Sequence, residues 1–325
     1  MSDWASASWL AAATTWLDEQ LAAAGIRRTG EVTQPHLKAW ATALRAPTDA
    51  GTVWLKAAGP GTAFEIRLYP VLFAAAPAGV LEPIAVDEER AWIVLPDGGP
   101  TLFKQTGGDW DKLVERLVTA VADYATLQRE VQSSVLEMRE RGVPDMRPEV
   151  MPDRFDEAVA SVAEYAGTKA DDDQRAAFER VRAMRDEVKR WSERLAGSRV
   201  GVSIDHHDLH PGNILGEPGE PARFYDWGDA AIAHPFFSMF VPLNLVADEA
   251  GEAAARRLRD SYLDVFADVA PEAELREELD LACRLTKVAR TLTWQRALQL
   301  ADDDHKFASA PLKTLLSVEK PSYAS

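Results

Sequence analysis

The sequence predicts an α+β chain of two unequal lobes, a small N-terminal antiparallel sheet lobe with a helix and a larger, mainly helical C-terminal lobe. Three observations carry this. Strand-like runs crowd between residues 30 and 95, long helical stretches fill 109–195 and 250–305, and a short joint, Pro96-Asp97-Gly98-Gly99-Pro100, separates the two patterns. The expected lobes are 1–98 and 99–325.

Taken in order, residues 3–25 are rich in Ala and Leu and read as an amphipathic helix that Gly25 stops. Strand-like runs follow at 30–38, 40–46 and 52–57, the last two separated by the turn Pro47-Thr48-Asp49-Ala50-Gly51. A helix is expected from Thr62 to Ala75, closed by Pro77 and Gly79, and then strands at 80–86 and 90–95. Beyond the joint, 109–141 reads as one long helical stretch ended by Gly142-Val143-Pro144, and 153–195 as a second helical block. A strand-and-loop insert at 199–227 precedes further helices to about residue 305.

Composition narrows the class. Of the 325 residues 46% are hydrophobic and 27% charged, as in ordinary globular proteins. No apolar run is long enough to span a bilayer. No basic stretch precedes the Ala-rich segment near Met1, and a lone Cys283 excludes an internal disulfide or a cysteine metal cluster. These features point to the cytoplasm. A net charge of −16 argues against nucleic acid or an anionic membrane surface as partner, and suits a cationic ligand or simply a soluble acidic surface.

The chemistry concentrates in Ser203-Ile204-Asp205-His206-His207-Asp208-Leu209-His210-Pro211-Gly212-Asn213-Ile214-Leu215. Within it lies H-x-D-x-x-x-x-N, a spacing that lets one loop present a carboxylate, Asp208, to an acceptor hydroxyl and an amide, Asn213, to a cation. Thirteen residues on, Phe224-Tyr225-Asp226-Trp227-Gly228-Asp229 resembles the D-F-G element, with Asp226 as a second hard oxygen ligand suited to magnesium. Gly-Glu-Pro-Gly-Glu-Pro at 216–221 reads as a hairpin turn between the two groups. Upstream, Val53-Trp54-Leu55-Lys56 resembles V-A-I-K. Glu65, the only carboxylate between Lys56 and Glu82, is its expected partner, with a solvated helix glutamate as the competing reading. A zinc site at His206, His207 and His210 lacks further ligands; His206 is expected to brace the loop.

The run His206 to Leu215 resembles the H-G-D-L-H-P-G-N signature of the aminoglycoside phosphotransferase family, shared by choline, homoserine and sugar kinases of that superfamily. The resemblance covers about residues 30–300 and is specific at 203–230. It implies a protein-kinase-like two-lobed fold with ATP (or GTP) and Mg2+ in the cleft. It further implies Asp208 as catalytic base, Asn213 and Asp226 as magnesium ligands, Lys56 on phosphate with Glu65 behind it, and the segment from Leu95 through Asp97 as the hinge meeting the base. Two departures stand out. His207 replaces the family's glycine, adding bulk near the acceptor site. The loop near Thr33-Gln34-Pro35-His36-Leu37-Lys38 lacks glycines, leaving backbone N–H groups or His36 and Lys38 for phosphate.

No A-P-E follows Asp226-Trp227-Gly228, and His207 stands where protein kinases carry Arg, so the expected acceptor is a compact hydroxyl compound: aminoglycoside-like, an amino sugar or an amino alcohol. Asp229 and Trp294 are candidate substrate residues. Asp302-Asp303-Asp304 is another source of carboxylates, read equally as a solvated helix end, and Arg290 and Arg296 suit an anionic substrate. The alternative function is a non-catalytic nucleotide-binding sensor or scaffold.

Overall fold

A computed structural model describes residues 4–299 and 305–321. Helix α1 (Ala7–Ala23) starts where the Ser6 hydroxyl accepts the Trp9 N–H at 3.2 Å, four residues later than the sequence pattern suggests. Five strands, β1 (Thr33–Leu37), β2 (Ala41–Thr48), β3 (Gly51–Ala58), β4 (Ala85–Asp87) and β5 (Trp92–Pro96), form one antiparallel sheet in the order β1-β2-β3-β5-β4. The expected strand at 80–86 shrinks to β4. Val80 and Leu81 are buried in the core rather than paired, and Pro83 has no N–H to give a ladder.

Side-chain alternation along β3 decides where the chemistry sits. Val53, Leu55 and Ala57 face α1 and pack with Trp16, Leu17 and Leu21 in a small core on one side of the sheet. Trp54 and Lys56 therefore point to the other side, where helix α2 (Phe64–Ala75) follows in the chain. Lys56 pairs Ala43 on β2 and Ile93 on β5, so it stands on a central, fully bonded strand.

The remainder is mainly helical: α3 (Leu102–Thr106), α4 (Trp110–Glu130), α5 (Val135–Glu140), α6 (Met151–Thr168), α7 (Asp172–Arg182), α8 (Arg185–Ala196), α9 (Phe240–Ala250), α10 (Glu252–Asp264), α11 (Glu272–Leu298) and α12 (Ala310–Leu316). Neither α3 nor α12 was expected, since five and seven residues are too few to show a helical period. Between α8 and α9 lie two short antiparallel pairs. Strand β6 (Ser203–Asp205) pairs β9 (Ala231–Ala233), and β7 (Ile214–Leu215) pairs β8 (Arg223–Phe224), the hairpin expected around 216–221. Gln128 on α4 anchors them by donating to the Ile204 and Pro235 carbonyls at 2.7 and 2.9 Å. Tyr124, Phe224, Trp227 and Phe236 lie in the large core beneath. Among the described residues no helix is long and apolar enough to cross a membrane.

Candidate active site

The Lys56 ammonium lies 2.7 Å from Glu65 Oε2 and 2.8 Å from Oε1, and also binds Asp226 Oδ1. Glu65 occupies the first turn of α2 and is wholly buried; its Oε1 also accepts the Trp227 N–H at 3.1 Å. A side chain at 228 would crowd this arrangement, since a Cβ there would stand 3.1 Å from Glu65 Oε2. That close approach explains the glycine after Asp226-Trp227. Trp227 itself is buried and donates its indole N–H to the Phe224 carbonyl at 3.1 Å, clamping the turn in which Asp226 adopts φ +64°. Asp is among the few residues other than Gly that enter this left-handed region readily.

Charge balance keeps the trio ionised in different degrees. Desolvation opposes the Lys56 charge, but Asp226 and Glu65 outweigh it and raise its pKa. The Lys56 ammonium holds the Asp226 carboxyl below the usual range. Burial pushes the Glu65 carboxyl up to about 7, against the pull of Lys56.

Strand β6 ends at Asp205, which is buried and organises the loop that follows. Its Oδ1 accepts the His207 N–H at 2.8 Å and the Ser238 hydroxyl at 2.7 Å. His206 Nε2 donates to the Tyr225 carbonyl at 2.9 Å, joining the loop to the residue before Asp226, which is the bracing role the sequence suggested. His207 corrects one expectation. It takes φ +67°, a glycine-like conformation, and its buried ring turns inward, with Nδ1 3.0 Å from Asp205 Oδ2. The ring therefore adds no bulk to the acceptor side. Arg290 of α11 donates to the His207 carbonyl and holds the loop from outside.

Asp208 projects from this loop, partly exposed. Asn213 Nδ2 donates to the Asp208 carbonyl at 3.0 Å and lies 3.4 Å from its Oδ2. With the amide nitrogen spent on Asp208, the amide oxygen is the end of Asn213 left for a cation. Asp226, 51% exposed, is the second oxygen donor. Two hard oxygen donors with the other positions open form a set that suits magnesium, which takes its remaining ligands from water and phosphate. Among the described residues no group of three or more His, Cys, Asp or Glu could hold a metal alone. Desolvation works against the Asp208 charge, yet the His210 hydrogen bond and the Arg290 guanidinium hold its carboxyl down at about 2.

Lys56, Glu65, Asp208, Asp226, Asp229 and Trp294 line one cavity of about 200 Å³. Six of the nine candidate residues thus meet, with Asn213, 5% exposed, bonded behind Asp208. Burial raises the Asp229 carboxyl. Leu95 and Asp97 lie elsewhere, near the end of β5 and just beyond it. Leu95 pairs with Trp54, and the Asp97 carboxylate accepts the Trp54 indole N–H at 3.1 Å and the Gly99 N–H at 2.9 Å. The His36 ring lies 5.9 Å from that of Trp54. Asp302-Asp303-Asp304 lies outside the described residues. Trp40, Thr293 and Phe307 also line the cavity and went unnoticed in the sequence, where no motif marks them.

A lysine–glutamate pair facing one carboxylate, beside a second carboxylate tied to an amide five residues on, defines a kinase-like protein built for phosphoryl transfer. The comparisons with known proteins agree. The chain belongs to the phosphotransferase enzyme family, whose model matches residues 41–277. No curated protein sequence matches it. Among solved structures it is similar to a macrolide 2'-phosphotransferase type I at 16% identity and TM-score 0.59, covering 95% of this chain and 97% of that one. It is also similar to the aminoglycoside phosphotransferase APH(2'')-Ib, ADP-bound, at 14% identity and TM-score 0.60, covering 95% and 97%. An ethanolamine kinase of Plasmodium vivax matches at 12% identity and TM-score 0.60, covering 89% and 82%. Identities this low speak for the shared fold.

Proposed function

We propose that the chain transfers the γ-phosphoryl group of ATP, carried with magnesium, to a hydroxyl of a compact small molecule. The observation that carries this reading is the convergence of Lys56, Asp208 and Asp226 on one cavity, with Asn213 bonded to Asp208. Lys56 would bind nucleotide phosphates, held in place by Glu65; Asn213 and Asp226 would hold magnesium, which would neutralise phosphate charge. Base contacts fall to the joint at Leu95 and Asp97, between lobes 1–98 and 99–325. In the transfer, the acceptor oxygen forms the new O–P bond, the bond from phosphorus to the bridging oxygen of ADP breaks, and the hydroxyl proton passes to Asp208. A carboxylate held near 2 is a weak base and a good hydrogen-bond acceptor. Asp208 therefore mainly orients the hydroxyl and takes its proton late, as the O–P bond forms and the hydroxyl becomes acidic.

Asp229 beside Asp208 supports an amine-bearing acceptor such as an amino sugar or amino alcohol. A sensor without turnover would need no space for an acceptor next to Asp208, so the cavity favours catalysis. The test is acceptor-dependent ADP release with Mg–ATP across sugars, amino alcohols and aminoglycosides. No release with any acceptor, together with nucleotide-dependent thermal stabilisation, would favour the sensor.

A further inference from the structure

Thr293 on α11 breaks a local rule. Two residues earlier, Thr291 donates its hydroxyl to the Lys287 carbonyl of its own helix at 2.9 Å, a common fate for helical threonine. Thr293 is 6% exposed, its Oγ1 makes no hydrogen bond among the described residues, and it lines the cavity that contains Asp208. A buried hydroxyl left unpaired is costly, and such groups call for an explanation.

The wall around Thr293 is aromatic and comes from both lobes. Trp294 is its neighbour, and the Phe307 ring lies 5.3 Å from that of Trp294. Trp40 reaches in from the turn between β1 and β2 and meets the edge of His305 at 6.3 Å. Its backbone is fixed, since the Trp40 carbonyl accepts the Gly59 N–H at 2.7 Å and the Thr62 hydroxyl at 3.1 Å. The same loop presses onto the end of α11. A Cβ at Gly61 would stand 2.7 Å from the Arg296 carbonyl oxygen, so only glycine permits this approach. The cavity, about 200 Å³ and partly open to solvent, must admit the phosphoryl group as well as the acceptor.

We infer that Trp40, Thr293, Trp294 and Phe307 form an acceptor subsite sized for a single ring or a short chain. The acceptor sets an apolar face against the aromatic walls, a polar group on Thr293 Oγ1 and its reacting hydroxyl on Asp208. The same walls exclude multi-ring glycosides. This assignment rests on the phosphotransferase reading above. Because Trp40 belongs to the hairpin whose second strand pairs with Lys56, a seated acceptor touches both lobes, and acceptor and nucleotide strengthen each other's binding.

The test compares acceptor-dependent ADP release for single-ring amino sugars, cyclitols and short amino alcohols with that for kanamycin, a multi-ring aminoglycoside. Wild type is expected to use compact acceptors and not kanamycin. Thr293→Val should raise the acceptor KM about tenfold while leaving nucleotide affinity without acceptor unchanged. Phe307→Ala should admit kanamycin, and Trp40→Ala should abolish the acceptor's tightening of nucleotide binding. Kanamycin turned over by wild type as efficiently as compact compounds, or an unchanged acceptor KM in Thr293→Val, would overturn the subsite. A chain that binds Mg–ATP and uses no compact acceptor would do the same. No thermal shift with Mg–ATP at all would overturn the phosphotransferase reading, and the subsite with it.

Discussion

Replacing Glu65 by glutamine separates two roles that a buried carboxylate can play. Burial lifts its pKa from 4.5 in a free chain to about 7 in the folded one. A raised acid favours the folded state's protonated form, so the penalty is absent below about pH 4.5 and complete above about pH 7. At pH 8 ionised Glu65 then costs the folded protein about 3 kcal/mol relative to the unfolded chain. Glu65→Gln removes that cost, which already includes the opposing pull of Lys56, so the unfolding free energy at pH 8 should not fall. Function should not be spared. Without Glu65 the Lys56 ammonium retains Asp226 alone, and it collapses onto a carboxylate expected to serve a cation. Losing about 1.5–3 kcal/mol of positioning corresponds to roughly a tenfold to hundredfold loss in Mg–ATP affinity or kcat/KM. Chemical denaturation and nucleotide titration on one preparation measure both quantities. A large loss of stability with unchanged nucleotide affinity would refute the reasoning and make Glu65 a structural group.

Three further outcomes follow from the same geometry. Asp226→Ala should weaken magnesium-dependent nucleotide binding more than binding without magnesium, measured by titration with and without the ion. His234 is held neutral by burial, its pKa depressed to about 3, so between about pH 6.5 and 3 the unfolded chain binds a proton that the folded chain refuses. Stability should fall with pH across that window by up to about 1.4 kcal/mol per pH unit from this group, and His234→Gln should flatten the slope in denaturation at several pH values. His207→Gly should be more stable than His207→Ala by about 1 kcal/mol, because both lose the imidazole beside Asp205 but only glycine adopts φ +67° without strain. Equal stability of the two variants would argue against that backbone conformation.

How much of this could be read beforehand depends on how tightly chemistry constrains the chain. Asp208 and Asn213 act from one loop and Asp226 from the turn just after β8, whose partner β7 directly follows Asn213, so their spacing is fixed locally and shows in the sequence. Lys56 was legible because period-two burial on β3 leaves only two directions for its side chain. The acceptor wall was not legible. Helix α11 is buried on most of its circumference, so no polar face distinguishes Thr293 from its neighbours. Trp40 and Phe307 are far apart in the chain and line one cavity only after folding. The Asp97 carboxylate likewise finds the Trp54 indole 43 residues away, a pairing no local pattern reveals. His207 shows the opposite failure: substitution at a glycine position suggested added bulk, and the acid two residues earlier turned the ring inward instead.

The most direct test of the account is Asp208→Asn, assayed for both turnover and Mg–ATP binding. The substitution keeps the shape of the side chain while removing the charge that orients the hydroxyl and accepts its proton. Acceptor-dependent ADP release should fall roughly a hundredfold to ten-thousandfold, with nucleotide affinity largely unchanged. A variant that turns over at the wild-type rate would contradict the assignment of this carboxylate as the group that handles the acceptor.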